Sequence, residues 1–300
     1  MRPFSALVIY IVVVFLGGAL LAPWLWWLAQ SGAHVFPGIA AAPFHRFVDR
    51  SFLILALAGL WPLLRALGAK SPRDMGIIPI YGHAKQLFGG LLLGFFSLAV
   101  VAGTAIGFHD RVLAGDITAH KIVGAVFGAI GAAAVVATLE EILFRGGIFG
   151  GLRRMIYWPF ALAISSVVYA LVHFLQRAEF NGAITWHSGL ELLPPMLRGF
   201  ADFRALVPGF FSLTLAGILL GLAYQRTGNL YFSIGLHAGW IFWLKTYGAL
   251  TAAAPDAKIW FWGGGKMIDG WLAFFVLAFT LFIFKFLPLG EKRTPFQIPE

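Results

Sequence analysis

Eight runs of mostly apolar residues divide this chain of 300 residues, at about 4–28, 52–67, 87–108, 122–149, 155–175, 206–224, 230–250 and 271–287. A helix needs about 20 such residues to cross the hydrocarbon of a bilayer. Within hydrocarbon, only helices and closed barrels satisfy every backbone N–H and C=O. None of the runs has the two-residue alternation of a barrel strand. The expected fold is therefore all-α, a polytopic transmembrane helix bundle of about eight spans, with residues 1–300 forming a single integral membrane domain. The run at 52–67 is the shortest. Composition agrees: 60% of residues are hydrophobic and only 12% charged, where soluble domains carry about 25% charge. The 30 Phe and 11 Trp suit lipid-facing surfaces and interfacial belts.

Several function classes drop out on the same grounds. With no cysteine, there are no disulfides, no thiolate metal ligands and no cysteine nucleophile. The net charge of +9 is spread through the loops rather than gathered on one face. That argues against nucleic acid as a partner and for anionic lipid headgroups. The first run is longer than the apolar region of a cleaved signal peptide, about 7–15 residues. Its end, Pro23-Trp24-Leu25-Trp26-Trp27, reads as an aromatic anchor.

With eight spans, one side carries Arg2, Arg65, Lys70, Arg73, Lys85, Arg153, Arg154, Arg226, Lys285, Lys292 and Arg293 in short loops and near span ends. That is where the positive-inside bias is read, so both termini are expected in the cytoplasm, with a bacterial inner membrane as the setting. The longest connection, about 176–205, contains Pro194-Pro195 and has the length of a lid or a connector.

Against this apolar background stands Ala137-Thr138-Leu139-Glu140-Glu141-Ile142-Leu143-Phe144-Arg145-Gly146. A charge at the centre of a span costs roughly 2.5–3.5 kcal/mol on insertion scales, and such a residue is by default a functional candidate. Helical residues four apart share a face. Glu141 and Arg145 are thus expected to form a buried ion pair that fixes helix position, while Glu140 points to another sector and is left for chemistry. In the next span Tyr169 and His173 are also four apart, and His237 lies in Ser233-Ile-Gly-Leu-His237-Ala-Gly-Trp240. At about 1.5 Å per residue, His237 lies roughly 10 Å, Glu140 roughly 14 Å and His173 roughly 22 Å from the cytoplasmic side. A carboxylate with two imidazoles is suited to activating water and stabilising an oxyanion, the chemistry of amide hydrolysis.

The ordered set Glu140-Glu141-x-x-x-Arg145, Tyr169-x-x-x-His173 and His237, with Phe144-Arg145-Gly146 and Thr227-Gly228-Asn229-Leu230 as flanks, resembles the three motifs of the CPBP family. These are the CAAX protease and bacteriocin-processing (Abi) intramembrane proteases, which include the type II CAAX prenyl endopeptidases. The resemblance covers about 122–244, the expected catalytic core. It implies a glutamic endopeptidase acting on a membrane-tethered or hydrophobic peptide. Glu140 would activate the water, assisted by His173, and His237 would help stabilise the oxyanion. Glu141, Arg145 and Tyr169 would support the site. Two positions depart from the pattern. Tyr169 replaces the usual Phe. Ile241 stands where the family places an asparagine and cannot donate a hydrogen bond; losing one such donor costs about 10²–10³ in rate in other enzymes. Trp240, beside it, carries an indole N–H.

Neither a cofactor nor a metal is expected. The His-Glu-x-x-His pattern of zinc proteases is absent from the sequence, and the resemblance implies a metal-independent mechanism. Two other readings remain: a carrier using the buried carboxylates as a proton relay, and an inactive family member serving as an immunity or scaffold protein. The paired repeats and broken helices of carriers are not evident. The other histidines, at 34, 45, 83, 109, 120 and 187, are expected in loops or at span ends. Gly124, Ala125, Gly128, Gly131 and Ala132 are expected to form a close helix-packing face.

Overall fold

The computed structural model describes residues 3–289; Arg2, Lys292 and Arg293 of the charge argument lie outside the described residues. In chain order the longer helices are α1 (Pro3–Val12), α2 (Gly18–Ser31), α3 (Phe44–Ala66), α4 (Ala84–Gly107), α5 (Ala119–Glu141), α6 (Trp158–Val172), α7 (Ser188–Met196), α8 (Phe203–Thr227), α9 (Tyr231–Leu250) and α10 (Trp271–Phe286). Among the described residues, five stretches are long and apolar enough to cross a membrane: Ser5–Ser31, Phe44–Ala66, Ala84–Gly107, Ala119–Leu152 and Phe203–Thr227. α6 and α10 are apolar but shorter. The expected all-α polytopic bundle is therefore what forms. α9 spans 20 residues but is less apolar, because it carries His237 and Lys245.

The second run is longer than its hydropathy implies. α3 starts at Phe44, eight residues before the apolar stretch, and takes in His45, Arg46, Asp49 and Arg50. Helical hydrogen bonding continues through these polar residues because they occupy the helix end. Two short strands, β1 (Arg111–Leu113) and β2 (Thr251–Ala253), pair antiparallel with Val112 opposite Ala252. They tie the ends of α4 and α9 together, and three-residue strands leave no readable alternation in a sequence.

The helices fall into two compact units. The first comprises residues 1–69 and 173–202. In it the long connection is not a loose lid. Its helix α7 lies against α2, with Gly189 so close to the Ala19 carbonyl that a side chain has no room. Leu192 and Met196 pack with Ala22, Phe44, Phe47 and Val48.

The second unit comprises residues 70–172 and 203–300. Its centre is the crossing of α4 and α9. Gly90 and Gly94 of α4 abut the backbone of Phe232 and Leu236, while Gly235 and Gly239 of α9 abut that of Leu87, Leu91 and Phe95. Two glycine pairs spaced by four thus let the helix backbones touch, the device by which helices associate in lipid without a hydrophobic driving force. The glycines expected to do this lie elsewhere. Gly124, Gly128 and Gly131 meet nothing within 4 Å. The face of α5 that packs inward is Ala129, Ala133 and Ala137. The expected packing face is therefore corrected for its glycines, while its Ala132 does pack against the cluster of Ala133, Ala137 and Ile241: the 3.6-residue period allows several small-residue stripes on α5, and alanines fill the contact.

A short turn at Pro72–Met75 leads toward the site end of this unit. Asp74 caps it by accepting the Lys70 and Ser71 backbone N–H groups at 2.8 and 2.9 Å, and it faces Arg154 at 3.6 Å. Burial works to raise the Asp74 pKa, but the two N–H groups and Arg154 together hold it below the usual carboxylate value. A carboxyl with a lowered folded pKa stabilises above its unfolded pKa and loses that contribution as pH falls through the folded value. Hydrogen exchange of residues 70–76 should therefore accelerate below about pH 4, and Asp74→Asn should remove the pH dependence.

Candidate active site

The carboxylate pair sits at the end of α5, where the helix changes form. Residues Ile142–Phe149 continue as a π-helix, with the Gly150 N–H reaching the Arg145 carbonyl. Widened turns of this kind occur mostly at functional sites. Gly146 is required here, since a Cβ would stand 2.9 Å from the Met75 carbonyl oxygen.

Glu141 is fully buried. Its Oε1 accepts Arg145 Nη1 at 3.0 Å and His237 Nδ1 at 2.9 Å. The expected Glu141–Arg145 pair forms, but Glu141 also grips His237 directly, an interaction that helical spacing on one chain segment could not reveal. Since a carboxylate only accepts, Nδ1 carries the proton in this contact and Nε2 is turned the other way. His237 Nε2 faces the Tyr169 hydroxyl at 3.4 Å and Glu140 Oε2 at 3.7 Å. The Glu140 side chain is 26% exposed where that of Glu141 is 0%. Arg145 is held further by the face of the Tyr169 ring, 4.3 Å from its guanidinium carbon. Its Nη2 reaches toward the Gly217 carbonyl at 3.5 Å.

Within the second unit, then, the structure brings together Glu140, Glu141, Arg145, Tyr169 and His237. His173 belongs to the first unit. α6 ends at Val172, and His173 is the first residue of the turn that follows. His173 thus follows α6 one turn past Tyr169. Beyond this turn Gln176 donates its N–H to the Met196 carbonyl at 2.9 Å.

Ile241 is buried against Ala133 and Ala137, one turn beyond His237 on α9 and one turn before Glu141 on α5. An apolar side chain there closes the gap between the helices. The Trp240 indole is not a spare donor, because its Nε1–H is given to Ser97 Oγ at 2.9 Å. Sequence reading missed Ser97; a lone serine in an apolar run carries no signal. Among the described residues, no group of three or more His, Asp or Glu side chains is arranged to hold a metal.

The site lies inside a recognisable segment. Residues 122–243 match the family described as type II CAAX prenyl endopeptidase Rce1-like. Over that segment, less than half of the chain, it is similar to the Rce1-like family. It is a family of CAAX-type intramembrane proteases, and the apolar helices agree in making the chain an integral membrane protein. The chain is also similar to the methylenomycin A resistance protein of Bacillus subtilis (strain 168), with 30% identity over 141 residues. That match takes in 47% of this chain and 28% of the relative, so the chain spans less than a third of that protein's length. No solved structure matches. The Rce1-like segment begins in α5 and ends within α9, and so contains Glu140, Glu141, Arg145, Tyr169, His173 and His237 but not Ser97.

Proposed function

We propose that this chain is an intramembrane endopeptidase that hydrolyses a peptide bond of a membrane-tethered or hydrophobic peptide near the cytoplasmic leaflet of a bacterial inner membrane. The observation that carries the reading is the buried clasp of Glu141 on His237 Nδ1, which aims Nε2 toward Glu140. In the proposed reaction Glu140 takes a proton from the attacking water, and the hydroxide adds to the peptide carbonyl carbon. His237 Nε2, when protonated, donates to the resulting oxyanion. Glu140 then returns its proton to the leaving amine as the C–N bond breaks, so protons balance over the cycle. His173 is assigned the support of the water, on the family resemblance alone.

The Rce1-like family supports protease chemistry, and Glu140 is the partly exposed member of the pair. A second reading, an inactive member acting in immunity, is favoured by Ile241 and by the resistance function in the name of one relative. The decisive experiment is reconstitution in lipid with a library of membrane-tethered peptides, reading products by mass spectrometry. Defined cleavage products support the endopeptidase. Solute flux across the proteoliposomes with no product would establish a carrier instead.

A further inference from the structure

Beside His237 the second unit has a pocket of about 30 Å³ lined by Tyr169, Ser212, His237 and Trp240 among apolar residues such as Leu98 and Leu277. Neither glutamate lines it. Ser212, on α8, is fully buried, and its Oγ has no hydrogen-bond partner. Three buried helical serines bond back to their own preceding turn, Ser51 to Phe47, Ser165 to Leu162 and Ser233 to Leu230, while Ser166, like Ser212, has no such bond but does not line the pocket. A buried hydroxyl left unpaired is costly, and a polar-edged cavity above roughly 10–15 Å³ accepts a water when two or more polar groups can hold it. Trp240 is already committed to Ser97. The hydroxyls of Ser212 and Tyr169 are therefore the groups that share the space.

We propose that Ser212 is a positioning residue: through an internal water it fixes the Tyr169 hydroxyl, which in turn orients and hydrogen-bonds His237 Nε2. The chain of contacts then runs Ser212, water, Tyr169, His237, Glu141, Arg145. It gives the tyrosine at position 169 a use that a phenylalanine does not offer. The kinetic part of the proposal rests on the endopeptidase reading; the structural part does not.

The test compares Ser212→Thr with Ser212→Val, which match in shape and differ in the hydroxyl, and adds Ser212→Ala, which introduces no bulk. Two readouts are taken on the full chain in lipid: kcat and KM for a cleaved peptide, and the imidazole ¹⁵N resonances of His237. Ser212→Val and Ser212→Ala should lower kcat about five- to tenfold, the rate equivalent of one hydrogen bond, at unchanged KM. Both should move the Nε2 resonance. Ser212→Thr should stay near wild type in both readouts. Equal behaviour of the Thr and Val variants, or a His237 resonance that stays put in the Ala variant, overturns the proposal. A wild-type protein that cleaves nothing sinks the endopeptidase reading, while the resonances still decide the role of Ser212.

Discussion

Glu140→Gln is expected to lower peptide cleavage by about 10²–10⁴, the range that a positioned general base contributes, while the protein reaches the membrane in wild-type amount. The two halves of that expectation have separate causes. Glutamine keeps the shape and the polar carbonyl of the side chain but cannot take a proton from water. Glu140 is also the partly exposed member of the pair, and its contact with His237 is long at 3.7 Å. Its neutralisation leaves the Glu141–Arg145–His237 clasp in place. Steady-state rates and the folded yield of purified Glu140→Gln check both halves. His173→Ala should abolish cleavage as well, since the proposed mechanism assigns it to the same water. A Glu140→Gln protein that cuts at the wild-type rate would remove the carboxylate from the mechanism.

What the sequence makes legible here depends on the reach of the physical rule used. Hydropathy integrates over 20 residues, so the five spanning stretches and the shorter apolar helices are visible in it and the two three-residue strands are not. Within one helix the four-residue spacing placed Glu141 against Arg145, because both sit on a single stretch of backbone. The same rule at Tyr169 and His173 works at the edge of a helix, because α6 runs to Val172 and His173 is the residue that follows. Contacts between helices were out of reach altogether. Nothing in the α9 sequence says that His237 meets Glu141 through Nδ1 while its Nε2 faces Glu140. Nor does α5 announce that Ala133 and Ala137, not its glycines, face Ile241. The glycine pairs at 90/94 and 235/239 had a readable four-residue spacing, but only their mutual approach shows that they are one crossing.

The largest stability effects should come from the clasp itself. Arg145→Ala leaves Glu141, with 0% side-chain exposure, without its guanidinium partner. Removing one member of a buried ion pair costs about 3–5 kcal/mol because the remaining charge stays desolvated. The loss goes beyond the pair, since the Arg145 guanidinium also stacks on Tyr169 and reaches the Gly217 carbonyl, joining α6 and α8 to the end of α5. Glu141→Ala should be similarly damaging, because it strands Arg145 and releases His237 Nδ1 at once. The double change Glu141→Leu with Arg145→Met removes both charges. Replacing a buried pair by apolar side chains of similar volume is often neutral or stabilising, so the double variant should regain much of the folded yield lost by either single one. It should not regain activity, because His237 would still lack the carboxylate that sets its tautomer. Thermal unfolding in lipid and folded yield, measured on the two single variants and the double, test the argument. Wild-type stability in both single variants would mean that the pair does not hold these helices together.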